Sequence, residues 1–332
     1  MNLTLLKRII YTLVYRPLGF LYLFFGVFYG RFVLPKQPAL TLLRPYVDDR
    51  TVVVVTGCNV GIGYEVALAL SKAGATVFIC CRTEEKCSET IRRIKQQGGR
   101  GQLKPIKLEL SSFASVRAAA DAINAQTAYI DFLVLNSGVM NIPKLEFSAD
   151  GYEMHFAVNH LGHYLLTRRL VAKVRKGIVV VSSDGHIMGA TDAIDDINWD
   201  RRGRENYDGM VAYADTKMAN VLFAAECNRR YPSIRTVAVH PGAVLTELIR
   251  YSVKPEAQTR LRQILKYIFR TPAEGALVVV AALVATAVPC AGKRAPLFYR
   301  DGRPSWAVAE NDVAAAQHLW DESERIVRNY LT

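Results

Sequence analysis

The chain has 332 residues, 51% of them hydrophobic and 22% charged, with 22 Gly and 13 Pro. That is enough chain and apolar surface for a large core, and it excludes disordered, collagen-like and coiled-coil classes. The formal charge is +12, but seven basic residues against Asp48 and Asp49 place +5 of it in the first 50 residues, around an apolar stretch, and no aromatic-and-basic RNA motif accompanies the rest; this argues against nucleic acid as a partner.

From Pro17 to Gly30 fourteen residues carry no charge, and nine aromatics lie between Tyr11 and Phe32, a membrane-interface composition. A spanning helix needs about 20 apolar residues. Reaching that length from Ile9 to Gly30 includes Arg16, whose charge would snorkel to the head groups, so full spanning and shallow insertion both fit. Tyr29, Gly30 and Arg31 lack the small residues of a signal-peptide cleavage site. Residues 1–46 are therefore expected to be an uncleaved anchor and a Pro-containing connector. Basic residues on both sides leave its orientation open.

From residue 47 to 332, β-branched apolar runs alternate with helical patterns, as in βαβ units. Strands are expected at Thr51–Thr56, Thr76–Cys80, Leu103–Leu108, Phe132–Leu135, Ile178–Val181, Thr236–Val239 and Leu297–Tyr299. Helices are expected at Ile62–Ala73, Glu84–Gln97, Phe113–Gln126 with Ser112 as N-cap, Gly151–Val174 and Gly209–Arg230. The order is that of an α/β chain, a Rossmann-type doubly wound parallel sheet of about seven strands in a single domain. Segments 184–208 and 241–272 follow strand carboxyl ends, where ligands bind in such sheets, and are the expected substrate loops. Within the second, Ile249 to Arg270 pairs a basic face with apolar residues at helical spacing, among them Ile268 and Phe269. A membrane-interface helix and a solvated helix over the cleft both fit this pattern. Gly275 to Val288 is apolar but too short to span a bilayer and is expected in the core. The six cysteines have no metal-type spacing, so reduced, packed thiols and no metal are expected.

Directly after the first strand, Thr56-Gly57-Cys58-Asn59-Val60-Gly61-Ile62-Gly63 opens a helix, which lets backbone N–H groups and the helix dipole meet a pyrophosphate. At the end of the second strand, the acidic residue that would hydrogen-bond the ribose of NAD is absent, and Arg82 stands where a 2′-phosphate would lie; this favours NADP(H). Asn136, Ser137 and Gly138 close the fourth strand beside the same crevice. Tyr213 and Lys217 are four apart on one helix and share a face. A close ammonium, with the positive charge of an oxidised nicotinamide, is expected to lower the phenol towards a working acid/base. Ser183 would donate to the substrate oxygen, and Asn159 would position a water behind Lys217.

The ordered motifs T-G-C-N-V-G-I-G, C-R, N-S-G, N-H-L-G-H, V-S-S, Y-A-D-T-K and H-P-G resemble the short-chain dehydrogenase/reductases, and within them the microsomal retinol dehydrogenase group, from about Asp49 to Tyr299. The resemblance implies a catalytic tetrad of Asn159, Ser183, Tyr213 and Lys217. It implies a cofactor site of Gly57, Asn59, Gly61, Ile62, Gly63, Arg82, Glu109, Asn136, Gly138, Tyr213, Lys217, Pro241, Gly242 and Thr246. Glu109 stands where the family usually has Asp, and Ser137 replaces its Ala. The implied activity is NADP(H)-dependent interconversion of a lipophilic alcohol and its carbonyl, retinol and retinal first, with steroid, polyprenol or lipid carbonyls as alternatives. The rival from another class is a non-catalytic NADP(H)-binding scaffold or sensor. The implied setting is the endoplasmic reticulum membrane or a lipid droplet, with the catalytic domain facing the cytosol, and homo-oligomerisation is left open.

Overall fold

The structure is a computed structural model that describes residues 38–244, 269–288, 297–300 and 302–331. The apolar amino-terminal stretch, Thr246 and nearly all of the basic segment from 249 onward lie outside the described residues. Among the described residues, no helix is long and apolar enough to cross a membrane.

The strands are β1 (Val52–Thr56), β2 (Thr76–Cys81), β3 (Leu103–Lys107), β4 (Ile130–Leu135), β5 (Val174–Val181), β6 (Arg235–His240), β7 (Phe298–Arg300) and β8 (Arg303–Ser305). They form one sheet in the order β3-β2-β1-β4-β5-β6-β7-β8, parallel except for the final hairpin. The helices are α1 (Gly61–Lys72), α2 (Glu84–Gln96), α3 (Phe113–Gln126), α4 (Gly162–Leu170), α5 (Gly209–Arg230), α6 (Pro272–Ala287) and α7 (Val313–Val327). Strand order reverses between β1 and β4, and this opens a crevice at their carboxyl ends.

Because side chains alternate across a strand, the four valines of β1 serve two cores. Val52 and Val54 pack with α3, α4, α5 and α7, while Val53 and Val55 pack with α1, α2 and α6. Each fully buried aliphatic side chain contributes roughly 1.5–3 kcal/mol. The apolar helix expected near Gly275 is α6, which lies in the second core. Leu43, on a short helix from Ala39 to Leu43, is fully buried there too.

Three expectations about elements are corrected. The eighth strand, Arg-Pro-Ser, has no apolar signal; it is an edge, where proline is tolerated because no ladder donor is needed. The helix expected over Gly151–Val174 is broken into Met154–Phe156, a π-helical turn at Ala157–Leu161, α4 and a 3-10 turn at Val171–Lys173. β5 then starts at Val174, earlier than its apolar run, because Arg175 and Lys176 reach the buried carboxylate of Asp131 at 3.1 and 3.3 Å. Asp131 also accepts the Val52 N–H at 2.9 Å. One carboxylate thus ties together the starts of β1, β4 and β5.

Candidate active site

The glycine loop leaves β1 with Gly57 and Gly61 at φ values of +72° and +63°, conformations that L side chains resist. No side chain caps α1, whose N-cap is Val60 and whose first turn holds no acid. Its first N–H groups therefore remain free to meet an anion. A Cβ on Gly63 would overlap the Gly57 carbonyl oxygen and the Asn136 amide, so the loop closes on itself through a position that only glycine fills. These features fit a pyrophosphate. Asn136 donates its amide to the carbonyls of Thr56 (2.9 Å) and Gly57 (3.4 Å); it buttresses the loop as well as lining the crevice.

Arg82, 57% exposed at the end of β2, does not stand free: its Nε lies 2.9 Å from the Glu109 carboxylate. Glu109 is itself held by the N–H and hydroxyl of Ser111. The two residues assigned separately to the cofactor thus form one pair on the crevice wall. Lys86, on the first turn of α2, lines the same wall and was missed as a second cation.

Beneath the loop runs a hydrogen-bond chain whose polarity can be assigned. The Thr56 hydroxyl oxygen accepts the N–H groups of Asn136 (2.9 Å) and Ser137 (3.0 Å), so its own proton goes to His163 Nε2 at 3.0 Å. His163 is then neutral with its proton on Nδ1, which donates to the Asn159 carbonyl at 3.2 Å. Burial pushes His163 down to about 4, in agreement with the neutral form. The Asn159 side chain makes three hydrogen bonds. It accepts from Val139 N and donates to Val139 O and Thr216 Oγ1. Asn159, expected to position a water, also clamps the loop after β4 to α5. His163, the second histidine of N-H-L-G-H, is the residue that reading missed.

α5 is capped by Asp208, whose carboxylate accepts from Met210 N at 2.8 Å. It is bolted to the end of β5. Lys217 Nζ donates to Val181 O (3.0 Å), Asn220 to the same oxygen (3.2 Å), and Ser182 Oγ to Lys217 O (2.8 Å). Ser183 Oγ accepts the Gly185 N–H at 3.1 Å, which leaves its proton for donation, and it adjoins the Tyr213 phenol, whose ionisation it favours. His186 braces this serine: its Nε2 accepts the Val308 N–H, so Nδ1–H donates to Ser183 O at 2.7 Å.

Lys217 Nζ stands 5.3 Å from the centre of the Tyr213 ring, over the face and not on the hydroxyl. Tyr213 is buried, and in the chain alone burial pushes it up to about 12, with the Ser183 hydroxyl pulling the other way. The expected depression is therefore not provided by the chain alone, because desolvation of the phenolate outweighs an ammonium that is spent on Val181 O. Burial also drives Lys217 down to about 8. The unfolded chain then holds this proton to higher pH than the folded one, so stability rises as pH climbs from about 8 into the ordinary lysine range. At pH 7 the full cost of the buried charge is present, on the order of 3 kcal/mol. Lys217→Met is expected to raise the melting midpoint of the protein without cofactor by a few degrees at pH 7, since Asn220 still serves Val181 O. That gain should shrink by pH 10. Scanning fluorimetry across pH measures both, and no gain at pH 7 contradicts the assignment.

On the far side, the 241–243 loop rests on Arg270. This side chain is 2% exposed and donates to Pro241 O at 3.0 Å, and its N–H bonds Ala243 O at 2.8 Å. Gly242, at φ +89°, has no room for a Cβ against that guanidinium. Arg270 was counted with the outward basic face; its planar donors instead brace a loop from below. Phe269 lines the crevice. Of the segment 184–208, only the first turn, with Asp184, Gly185 and Met188, reaches the crevice. The rest is held on α5 by Arg202, which binds Asp196 and Asp215.

Gly57, Gly61, Arg82, Asn136, Ser183, Tyr213 and Lys217 line one cavity of about 400 Å³, running from Arg82 to Tyr213, with Asn159, His163, His186 and Arg270 packed behind its walls. A larger void of about 750 Å³, bordered by Arg175, Arg235 and Asp312, lies at the amino ends of β5 and β6, away from the strand ends where such sheets bind ligands. Among the described residues, no cluster of potential metal ligands occurs, and Cys58, Cys80, Cys81, Cys87 and Cys227 are buried free thiols.

The short chain dehydrogenase family model matches residues 51–193. Retinol dehydrogenase 11 of Homo sapiens is 35% identical over 280 residues, which span 82% of this chain and 84% of that protein. The chain belongs to the short-chain dehydrogenase/reductase family. Within it, the chain sits in the retinol dehydrogenase group and is an oxidoreductase of the alcohol/carbonyl type, with a nicotinamide dinucleotide as its cofactor class. The polyprenol dehydrogenase of Danio rerio is 31% identical over 92% of this chain and 93% of its own length. A crystal structure of an uncharacterized protein from Mycobacterium paratuberculosis superimposes with a TM-score of 0.66 at 28% identity, covering 88% of this chain and 97% of that one.

Proposed function

We propose that this short-chain dehydrogenase/reductase is a membrane-associated, NADP(H)-dependent enzyme that interconverts a lipophilic alcohol and its aldehyde or ketone, with retinoids the first substrates to assay and polyprenols next. The observation that carries the reading is the buried Tyr213 phenol beside Ser183 in the same cavity as an uncapped helix N-terminus. When bound, the dinucleotide supplies or accepts the hydride at its nicotinamide ring.

The chain's own residues manage the proton and the geometry. Ser183, braced by His186, donates its hydroxyl proton to the substrate oxygen and fixes it beside Tyr213. Tyr213, protonated at neutral pH, gives its proton to that oxygen in reduction and takes it back in oxidation. Reduction then falls as pH rises through the phenol's titration, and oxidation rises. Lys217 holds its ammonium behind the phenol and favours the phenolate left after donation. Asn159 and His163 keep the floor rigid. Gly57, Asn59, Gly61, Ile62 and Gly63 would hold the pyrophosphate, Asn136 and Gly138 the adjoining ribose, and Pro241, Gly242 and Thr246 the nicotinamide end. The residues 17–30 stretch supports attachment to a membrane, the endoplasmic reticulum or a lipid droplet, with the domain on the cytosolic side.

Arg82 supports NADP(H) over NAD(H), and its pairing makes a distinctive expectation. A 2′-phosphate must compete with Glu109 for the guanidinium. Arg82→Gln should weaken NADPH binding by about 10- to 100-fold, in line with a charge-assisted contact, and leave NADH nearly unchanged. Glu109→Gln, by removing the competitor, should tighten NADPH up to about fivefold, the scale of an exposed pair. Nicotinamide fluorescence titration reads both. Equal losses for the two cofactors would overturn the assignment of Arg82.

A further inference from the structure

We propose that Met140, Met188 and Met210 form the substrate-facing wall of this cavity and set its preference for flexible, unsaturated chains; the inference rests on the reading above and names the substrate class of the same site. The chain has six methionines, and these three line the cavity. They come from three separate elements. Met140 follows Gly138 in the loop after β4, Met188 ends the 3-10 turn after Ser183, and Met210 lies one helical turn before Tyr213. Each is half-buried, in contact with the fold yet open to the cavity.

The position along the cavity is fixed by topology. Arg82, Lys86 and Glu109 stand over β2 and β3, on one side of the strand-order reversal. The three methionines gather over β4, β5 and α5, on the side of Tyr213 and Ser183. Val139, Val244 and Phe269 complete that apolar end.

Methionine is an unusual choice for such a wall. Leucine or valine would present a preformed shape, whereas an unbranched thioether with three rotatable bonds adapts to its ligand. Its sulfur is polarisable and packs favourably against π systems. A wall of three such groups accepts chains of varied bend and rewards double bonds along them, which a saturated chain of equal length lacks. Met218, 1% exposed in the core, and Met154, which packs on the first core, are outside the cavity lining and serve as internal references.

The test uses the full chain in detergent micelles. With NADPH present, so that no turnover occurs, farnesol or its fully saturated analogue is added, followed by limiting hydrogen peroxide, which transfers one oxygen to a thioether and leaves water. Peptide mass spectrometry follows each sulfoxide. Farnesol is expected to slow oxidation of Met140, Met188 and Met210 by at least about threefold, the saturated alcohol less so, and neither should alter Met154 or Met218. Unchanged rates at the three sites, or equal protection by both alcohols, overturn the proposal, as does equal slowing at Met154. In the kinetic arm, the wild type should prefer farnesal to its saturated analogue about fivefold in kcat/KM, and Met140→Leu, Met188→Leu and Met210→Leu combined should erase the preference, mainly through KM. A preference that survives in the folded triple variant also overturns it. Protection by farnesol without reduction of any carbonyl would instead sink the catalytic reading and leave the wall standing.

Discussion

Tyr213→Phe is expected to lower kcat for carbonyl reduction about 1,000-fold, within the range of a removed general acid, while the NADPH dissociation constant stays within about threefold. The variant deletes a single oxygen. The ring remains, and with it the ammonium of Lys217 over its face at 5.3 Å, so packing and the charge environment of the cofactor end persist. What disappears is the phenol proton that would pass to the substrate oxygen in reduction. Ser183 keeps its bond from Gly185 N and its brace from His186, so the loss does not spread into the loop. Steady-state rates with retinal, alongside fluorescence titration of NADPH, separate the two quantities. A variant that keeps a tenth or more of the turnover would remove Tyr213 from the chemistry, and a large loss of NADPH affinity would mean that the change had been structural.

Gly63→Ala should abolish cofactor binding in a measurable sense, weakening NADPH at least about 100-fold, and should also cost about 1–3 kcal/mol of stability, as overpacked sites do. The added Cβ would overlap a backbone oxygen, Gly57 O, and the Asn136 amide that holds the loop carbonyls. The first is backbone, and the second is a side-chain amide tied to the carbonyls of Thr56 and Gly57, so moving it breaks the bonds that hold the loop. The loop must open, and with it the set of N–H groups aimed at the pyrophosphate. Gly98 provides the comparison: it has φ +84° but nothing within 4 Å of its Cβ position. Gly98→Ala should therefore cost about 1 kcal/mol of backbone strain and leave NADPH affinity unchanged. Equal effects of the two substitutions on affinity would show that the loop geometry does not govern binding.

The parallel sheet was legible in the sequence because its central strands are buried on both faces and read as uninterrupted valine, isoleucine and leucine runs. The helices α3 and α5 carry clear caps, Ser112 and Asp208. Elements whose reasons lie in tertiary contacts were not legible. Nothing in Arg-Pro-Ser announces β8, and the start of β5 depends on a carboxylate 44 residues away in the chain. The site shows the same division. Spacing marks Gly57, Gly63, Tyr213 and Lys217 as candidates, since a glycine turn after a strand and an i,i+4 helical face are local facts, and the family resemblance implies their roles. The partners of Asn159, the orientation of His163 and the burial of Arg270 are long-range facts. Arg270 is the instructive case: at the end of a basic, amphipathic run its charge reads as outward-facing, yet the carbonyls of 241–243 take it inside. The rise of the Tyr213 phenol in the chain without cofactor was not legible for a related reason. Spacing places an ammonium near the ring but says nothing of how much water the fold removes from the phenol.

The most direct measurement of the central claim is isotope transfer. Full-length protein in detergent micelles is incubated with NADPH carrying deuterium at the nicotinamide C4 and with retinal or farnesal, and the recovered lipid is analysed by mass spectrometry. The account predicts an alcohol containing one deuterium from the cofactor, formed by the wild type and nearly lost in Tyr213→Phe. Tight NADPH binding with no deuterated alcohol from either aldehyde would contradict it.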